Sequence, residues 1–193
     1  MSTISVIGAG YVGLTTSACL AHLGHEVICV DIDQEKIRQL QQGKIPIHEA
    51  GLLELVQTGI SNRCLQFVVG AENAVASSEF VFLCLPTPQE EDGRADVDTV
   101  LSVVNQIRDV VSPGTIIVNK STVPVGTNTT LATAIRRDDV FVVSNPEFLR
   151  EGAAVTDFLQ PDRIVIGADD SKAGDRLAQI YESIDAPIVR VDP

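Results

Sequence analysis

A glycine-rich turn near the amino terminus constrains this chain more than any other feature of its sequence. Gly8, Gly10 and Gly13 follow the apolar run of residues 4–7 and precede a segment with helical periodicity. In such a turn the first glycine permits a tight bend, the second lets a pyrophosphate approach the backbone, and the third lets the helix pack closely. The free amides of the first helical turn then face an anion. The spacing therefore predicts a βαβ unit of the Rossmann type that binds a dinucleotide.

The second predicted strand indicates which dinucleotide is bound. It ends at Asp31, 18 residues after Gly13, where a carboxylate accepts the hydroxyl groups of an adenosine ribose. Asp31 and the nearby Asp33 would repel a 2′-phosphate, and no arginine follows directly, so the sequence favours NAD over NADP. Lys36, one helical turn further on, is a second candidate for contact with the ribose or a phosphate. As an exposed helical residue it could equally have no such role.

Short apolar runs alternate with helical patterns along the chain. Runs rich in β-branched residues predict strands at residues 4–7, 26–31, 65–69, 80–85, 115–119 and 141–144. Later residues add a strand at 164–167, a helix and a last strand from Ile188. Continuous apolar strands of this kind are typical of a parallel sheet covered on both faces. We therefore predict an α/β fold, a doubly wound, mostly parallel Rossmann sheet with helices on both faces.

Three polar residues are predicted to cap helices. Asp96 precedes a helical stripe over residues 97–111, Thr127 precedes the next helix, and Ser171 precedes the helix of the later segment. Asp, Ser and Thr at such positions accept hydrogen bonds from amides that have no partner inside the helix.

The balance of charge limits the kinds of partner. The chain has 193 residues and a formal net charge of −12, with 14 Lys and Arg against 26 Asp and Glu. Nucleic acid is bound by basic surfaces, so we expect no nucleic-acid partner. No run reaches the roughly 18 apolar residues of a membrane span, and no basic segment follows Met1. We therefore expect a cytoplasmic protein without a membrane partner, and we expect the acidic run Glu90-Glu91-Asp92 to be a solvated loop tip.

The four cysteines give no sign of a metal site. Cys19, Cys29, Cys64 and Cys84 form no CxxC pair and have no histidine at metal-ligand spacing. We expect them to be reduced thiols, buried in the core, as is usual in a reducing compartment.

Three loops leave predicted strands at the same edge of the sheet, where ligands bind in folds of this type. They are residues 85–88, 120–127 and 144–152. Two prolines stiffen the first loop and leave the Thr87 hydroxyl as its polar group. In the third loop Glu147 and Glu151 lie four residues apart, so they share a face if the segment forms a helical turn. Each loop alone is compatible with a rigid or solvated turn, but together they indicate a site.

In order and spacing these segments resemble the UDP-glucose/GDP-mannose dehydrogenase family. The resemblance rests on residues 7–14, 46–52, 85–88, 120–127, 144–152 and 161–167, and it covers essentially the whole chain. Residues 161–167 look most like the UDP-glucose branch. The resemblance implies NAD-dependent, four-electron oxidation of a nucleotide sugar at C6, as from UDP-glucose to UDP-glucuronate, a polysaccharide precursor. Two NAD would be consumed, and a cysteine would hold covalent intermediates.

The resemblance also implies roles for individual residues. NAD would be bound by Gly8, Gly10, Tyr11, Val12, Gly13, Asp31, Lys36, Thr87, Ser121, Thr122 and Glu151. Three residues would be catalytic: Thr122 would hold a water, Glu147 would act as a base in thioester hydrolysis, and Glu151 would contact the nicotinamide side. The nucleotide sugar would be bound by Glu147, Phe148, Leu149, Arg150 and Glu151.

This sequence lacks part of the family pattern. The family's Gly-Gly-Ser-Cys nucleophile segment and the Lys and Asn of its central helix are absent from this sequence. We therefore expect residues 1–193 to be the NAD-binding domain of a longer, homodimeric enzyme, with the nucleophile beyond Pro193. Of the cysteines present, only Cys84 approaches the carboxyl edge of the predicted sheet.

Alternatives remain open at this point. A GDP-mannose or UDP-N-acetylmannosamine 6-dehydrogenase would fit most of the same motifs. A non-catalytic NAD-sensing module would need only the glycine turn and Asp31, and it would leave the Thr122 and Glu147 loops unexplained. A β-hydroxyacid dehydrogenase would share the first 35 residues but not those loops.

Overall fold

Strands and helices alternate in the computed structural model of the chain, which describes residues 1–89 and 95–192. The strands are β1 (Thr3–Ile7), β2 (Glu26–Asp31), β3 (Leu65–Val69), β4 (Phe80–Leu83), β5 (Ile116–Asn119), β6 (Phe141–Ser144), β7 (Ile164–Ala168) and β8 (Ile188–Val191). The helices are α1 (Tyr11–His22), α2 (Gln34–Gln41), α3 (Leu52–Ser61), α4 (Glu72–Val75), α5 (Asp98–Ile107), α6 (Thr127–Ile135), α7 (Ala154–Leu159) and α8 (Ser171–Ile180). None of these described helices is long and apolar enough to cross a membrane. Glu90-Glu91-Asp92, expected to be a loop tip, lies outside the described residues.

The strands form one sheet in the order β3-β2-β1-β4-β5-β6-β7-β8. Neighbouring strands are parallel from β3 to β6, whereas β7 is antiparallel to β6 and β8 is parallel to β7. The chain winds outward in opposite directions from β1 and β4, which confirms the predicted doubly wound, mostly parallel sheet. In the register, Ile7 pairs with both Val30 and Leu83, and Leu83 pairs with Asn119. The carboxyl ends of the central strands therefore meet at one edge, where ligands bind in this fold.

Apolar residues are buried on both faces of the sheet. One face packs against α1, α3 and α8, and its core includes Val6, Leu14, Leu52, Phe82 and Leu177. The other face packs against α5 and α6, and its core includes Ile7, Leu83, Val104, Ile107 and Leu131. Because both faces are covered there, the central strands β1, β4 and β5 are buried at nearly every position, whereas the edge strand β8 is exposed.

Ser171 does not cap α8, contrary to the prediction. The cap is Asp170, whose carboxylate accepts a hydrogen bond from the Ala173 amide at 2.7 Å. An ionised acceptor at a helix N-terminus is favoured over a hydroxyl by the helix dipole, so the helix begins one residue earlier than predicted.

The predicted caps at Thr127 and Asp96 are also displaced. Thr127 is the first helical residue of α6, and its hydroxyl donates to the Pro124 carbonyl at 2.7 Å. Gly126 occupies the cap position with φ of 89°, a conformation that favours glycine. Helix α5 begins at Asp98, two residues after Asp96, although the Asp96 carboxylate still accepts from the Asp98 amide at 2.8 Å.

The cysteines are free thiols, as expected. Cys19, Cys29 and Cys84 are buried, and Cys64 is half-buried. Burial raises the pKa of the Cys19 and Cys29 thiols to about 12, so both are protonated at neutral pH.

Candidate functional site

The turn between β1 and α1 places its three glycines in different environments. Gly8 has φ of 102°, and a β-carbon there would lie 2.4 Å from the Cys84 carbonyl oxygen. A β-carbon at Gly13 would lie 1.7 Å from the Gly8 carbonyl oxygen. Gly10 has an ordinary extended backbone, with φ of −79°, and a β-carbon there would meet no atom within 4 Å. The fold therefore requires Gly8 and Gly13 but leaves open space beside Gly10, on the side where a pyrophosphate approaches in this type of turn.

Asp31 ends β2 beside this turn, and its carboxylate holds the turn in place. Oδ2 accepts hydrogen bonds from the Ala9 amide at 2.9 Å and from the Lys36 ammonium at 2.8 Å. Oδ1 accepts from the Asp33 amide at 3.0 Å. Burial opposes ionisation, but the bonds from Lys36, Asp33 and Ala9 hold the pKa of Asp31 below its ordinary value. Three of the roughly four lone-pair positions of this carboxylate are occupied. Contact with both hydroxyls of a ribose therefore requires Lys36 to move aside.

The loops that follow β4 and β5 are hydrogen-bonded to each other. The buried Ser121 hydroxyl donates to the Leu85 carbonyl at 2.7 Å and accepts from the Leu85 amide at 3.2 Å. The Thr87 hydroxyl donates to the Thr122 carbonyl at 2.8 Å. Ser121 and Thr87, both predicted to contact NAD, thus fix two loops relative to each other. Thr122, which is exposed, lies at the end of this pair of loops.

Glu147 follows β6 in a segment that is not helical. Residues 145–150 have no regular secondary structure, and α7 begins only at Ala154. The helical face expected to be shared by Glu147 and Glu151 therefore does not form. Gly152, whose φ of 86° is incompatible with a right-handed helix, keeps α7 from extending back into this segment.

A buried polar cluster borders Glu147. The Lys120 ammonium donates to Asn145 Oδ1 at 3.4 Å, and the Tyr181 hydroxyl donates to the same oxygen at 2.6 Å. Lys120 also lies 5.7 Å from the centroid of the Phe158 ring. Lys120, Asn145, Tyr181 and Glu147 line one small cavity of about 40 Å³. A buried ammonium is thus placed close to a partly buried carboxylate.

Burial opposes ionisation of both Glu147 and Lys120. Oε2 of Glu147 is buried and has no hydrogen-bond partner among residues 1–89 and 95–192. Burial raises the pKa of the Glu147 carboxyl, and the positive charge of Lys120 acts in the opposite direction. Burial likewise lowers the pKa of Lys120. A carboxylate whose pKa is raised in this way is chemically suited to accept a proton.

These parts border one cleft of about 730 Å³, which lies within the usual range for small-molecule sites. It is lined by the predicted residues Gly8, Gly10, Tyr11, Val12, Asp31, Lys36, Thr87, Ser121, Thr122 and Glu147. Gly13 is buried at the helix–strand contact. The structure therefore brings the glycine turn, Asp31 and the three loops together.

Several lining residues were not found from the sequence. They are Ile32, Gly70, Ala71, Thr99, Val103 and Gln106. Ile32 is 91% exposed, although it follows a buried strand directly. An apolar residue between two aspartates, with no place in the core, was a signal that sequence reasoning could have used. The residues from α5 gave no such signal, because they reach the cleft only through the packing of the fold.

Besides the buried Gly13, four predicted residues lie outside the lining of this cleft. Phe148 and Leu149 border the small cavity, and the Phe148 ring is 55% exposed, with the Arg163 guanidinium 5.2 Å from its centroid. The Arg150 guanidinium is paired with Asp157, at 2.6 and 3.0 Å. Glu151 is exposed.

Cys84 lines the cleft but is poorly suited to act as a nucleophile. It is 8% exposed, and burial raises the pKa of its thiol to about 12. Since the thiolate is the reactive form, this thiol is unreactive at neutral pH.

The residues present fit a dinucleotide. The first turn of α1 contains no acidic residue, and its free amides lie beside the open space at Gly10. Asp31 keeps unused acceptor capacity, and the exposed Ile32 next to it offers an apolar surface to a flat ring. A cofactor of this kind would therefore be held by α1, Asp31 and Ile32 at one end of the cleft.

Comparison with known proteins gives consistent matches. The profile of the UDP-glucose/GDP-mannose dehydrogenase family, NAD binding domain, matches residues 2–185. The UDP-glucose 6-dehydrogenase of Rhizobium meliloti (strain 1021) is 46% identical over 188 residues, which are 94% of this chain and 43% of that protein.

Solved structures match over the whole fold. A UDP-glucose dehydrogenase from Pyrobaculum islandicum matches with a TM-score of 0.93 and 38% identity, over 100% of this chain and 46% of that chain. A GDP-mannose dehydrogenase from Pseudomonas aeruginosa matches with a TM-score of 0.92 and 36% identity, over 98% of this chain and 46% of that chain. The chain thus spans less than half the length of these relatives.

Proposed function

The chain belongs to the UDP-glucose/GDP-mannose dehydrogenase family as its NAD-binding domain, and we propose that it serves a nucleotide-sugar 6-dehydrogenase. The proposed reaction is the NAD-dependent, four-electron oxidation of UDP-glucose to UDP-glucuronate. This chain supplies the NAD-binding half of the enzyme. The homodimer and the cytoplasmic location expected from the sequence belong to the same proposal, and light scattering on the full-length enzyme tests the homodimer.

One observation carries the proposal. A single cleft joins Asp31 and Ile32 to Thr122 and Glu147. A module that only sensed NAD would need the first pair and would have no use for a partly buried carboxylate beside the second. The cleft therefore supports a cofactor site that leads to a place for chemistry.

The cofactor end of the cleft is built from backbone amides and one carboxylate. The open space beside Gly10 admits the pyrophosphate to the amides of α1. Asp31, kept ionised by its three hydrogen bonds, accepts from the ribose. NAD supplies the hydride acceptor for C6 of the sugar.

At the other end of the cleft, Thr122 and Glu147 are placed to hold a water and to accept its proton. Thr122 is exposed and lines the cleft, so its hydroxyl is available to hold a water. Glu147 lines the same cleft, and its buried Oε2 has no partner in the described chain. That oxygen can take the proton of a water that attacks the oxidised C6, which is general-base work.

The choice of sugar is the finer part of the proposal. UDP-glucose is favoured by the similarity to the Rhizobium and Pyrobaculum proteins, which are named as acting on it. The similarity to the GDP-mannose dehydrogenase of Pseudomonas aeruginosa makes GDP-mannose the second candidate.

The test uses the full-length enzyme that contains this chain. NADH formation is measured with UDP-glucose, GDP-mannose or UDP-N-acetylmannosamine as the substrate, and we expect UDP-glucose to give the highest kcat/KM.

Glu147→Gln should slow turnover by about 10²-fold or more, and a covalent enzyme–sugar adduct should accumulate as added mass. Normal turnover of that variant would refute the role of Glu147, and preference for another sugar would refute the assignment of UDP-glucose.

A further inference from the structure

Glu49 is a buried carboxylate to which the proposed reaction gives no role. It is 6% exposed and lies between α2 and α3, in the segment His48-Glu49-Ala50-Gly51. Its carboxylate accepts hydrogen bonds from the Tyr11 hydroxyl at 2.6 Å, from the Gly152 amide at 2.9 Å and from the Ala154 amide at 2.9 Å. A buried carboxylate with this many donors is held firmly in one position.

The donors belong to the two ends of the proposed site. Tyr11 is the first residue of α1, directly behind the open space of the glycine turn, and it lines the cofactor cleft. Gly152 and Ala154 lie at the start of α7, directly after the segment that carries Glu147 and Glu151. Glu49 therefore connects the dinucleotide-binding turn to a segment more than 100 residues away in sequence.

A second contact reinforces this connection. The Tyr11 hydroxyl also lies 3.0 Å from the Arg150 carbonyl. Both neighbours of Glu151 in the chain are therefore held. The Arg150 carbonyl contacts the Tyr11 hydroxyl, and the Gly152 amide donates to Glu49. Burial and the hydrogen bond to Glu49 raise the pKa of Tyr11 to about 12, so the hydroxyl remains a donor at neutral pH.

A purely structural cap would not need this arrangement. The amides of Gly152 and Ala154 alone would satisfy a carboxylate that only terminated α7. The short bond to Tyr11 adds a third element, α1, and that element is the one that meets the pyrophosphate. A ligand that restrains Tyr11 would therefore restrain Glu49 further and, through it, the segment 147–152.

We propose that Glu49 is a positioning residue that couples occupation of the dinucleotide site to the ordering of residues 147–152. This inference rests on the proposed function, because it takes the cleft to be a dinucleotide site. Coupling of this kind is reciprocal, so an ordered segment 147–152 also favours binding at the glycine turn. The sugar and the water would then meet an ordered Glu147 once the cofactor is in place.

The experiment is peptide-resolved hydrogen exchange of residues 147–155 in the 193-residue protein, with and without ligand. NAD and ADP-ribose are both used, because ADP-ribose carries the pyrophosphate but lacks the nicotinamide that could touch this segment directly. Calorimetry gives the affinity of each variant for each ligand, so exchange is compared at equal saturation. Tyr11→Phe is the main variant, since it keeps the Glu49 bonds to both amides and removes only the link to α1.

Glu49→Gln is the second variant. In either orientation its NH₂ group faces a backbone amide, so exchange of residues 147–155 should rise even without ligand. Glu54→Gln, the same change at an exposed position of α3, is the matched control and should behave like the unaltered protein.

In the unaltered protein we expect ADP-ribose to slow exchange of residues 147–155 by about fivefold, the lower end of typical coupling between sites. In Tyr11→Phe we expect exchange without ligand to be unchanged and this protection to fall below about twofold. Equal protection in Tyr11→Phe, or none in the unaltered protein at saturating ADP-ribose, would overturn the coupling. Failure of both ligands to bind the unaltered protein would instead overturn the proposed function, and the inference with it.

Discussion

Two carboxylates at opposite ends of the cleft are tuned in opposite directions by their surroundings. Asp31 is kept ionised by Lys36 and two backbone amides, so it can accept from a ribose. Burial raises the pKa of Glu147, although the positive charge of Lys120 acts against this shift. Such a separation of pKa values supports the proposal that Asp31 binds the cofactor and Glu147 transfers a proton.

The assignment of Asp31 predicts a change in cofactor preference. Asp31→Asn removes a charged acceptor, so the free energy of NAD binding should weaken by about 1–3 kcal/mol. The affinity for NADP should fall less, or rise, because repulsion of the 2′-phosphate is also removed. Calorimetric titration of both cofactors measures this, with Asp109→Asn, an exposed position, as the matched control. An equal loss for NAD and NADP would contradict contact between Asp31 and the ribose.

Lys120 predicts the pH dependence of Glu147. The Lys120 ammonium favours the ionised form of Glu147, so Lys120→Met should raise the pKa of that carboxyl further. As the proposed base, Glu147 would act only when ionised, so the acidic limb of kcat in the full-length enzyme should move to higher pH. Lys172→Met, at an exposed position of α8, should leave the limb in place. A limb that moves to lower pH, or does not move, would contradict this electrostatic link.

At the scale of elements, the turn between β1 and α1 contains one glycine that packing requires, Gly13, and one that packing does not require, Gly10. A side chain at Gly13 collides with the Gly8 carbonyl, whereas a side chain at Gly10 enters empty space. Glycine at position 10 is therefore not explained by the backbone or by packing, and its explanation is the close approach of a ligand.

This difference predicts two distinct outcomes. Gly10→Ala should change the free energy of unfolding by less than about 1 kcal/mol and should lower NAD affinity strongly. Gly13→Ala should cost about 3 kcal/mol or more, because a backbone carbonyl must move. Urea unfolding and calorimetry on both variants measure this. Unchanged NAD affinity in a folded Gly10→Ala variant would remove the pyrophosphate from this turn.

Sequence reasoning succeeded for elements that carry their own local signal. The strands were predicted within two residues at each end, because continuous β-branched runs bury themselves on both faces. The caps at Thr127 and Ser171 were wrong by one residue, because a neighbouring Gly126 or Asp170 supplied a better start. The segment 145–150 does not form the helical turn considered from the sequence, and its geometry depends on contacts such as that of Gly152 with Glu49, which lies about 100 residues earlier.

At the scale of the whole molecule, the chain contains a nearly complete cofactor site and part of a reaction site. The cleft residues at the glycine turn and at Asp31 could be predicted, because their spacing along the sequence is itself the signal. Val103 and Gln106 of α5 could not be predicted, since they face the cleft only after α5 packs on the sheet. The link from Tyr11 through Glu49 to Gly152 was likewise invisible until the fold joined them.

The central claim is that this chain binds NAD and supplies that half of a dehydrogenase. Titration of NAD into the purified 193-residue protein by calorimetry, followed by addition of UDP-glucose while NADH absorbance is recorded, tests it most directly. We predict saturable binding of one NAD per chain and no formation of NADH, because the thiol that lines the cleft, Cys84, is held protonated by burial. Absence of NAD binding would contradict the account of the cleft, and steady NADH formation would show that the nucleophile lies within this chain.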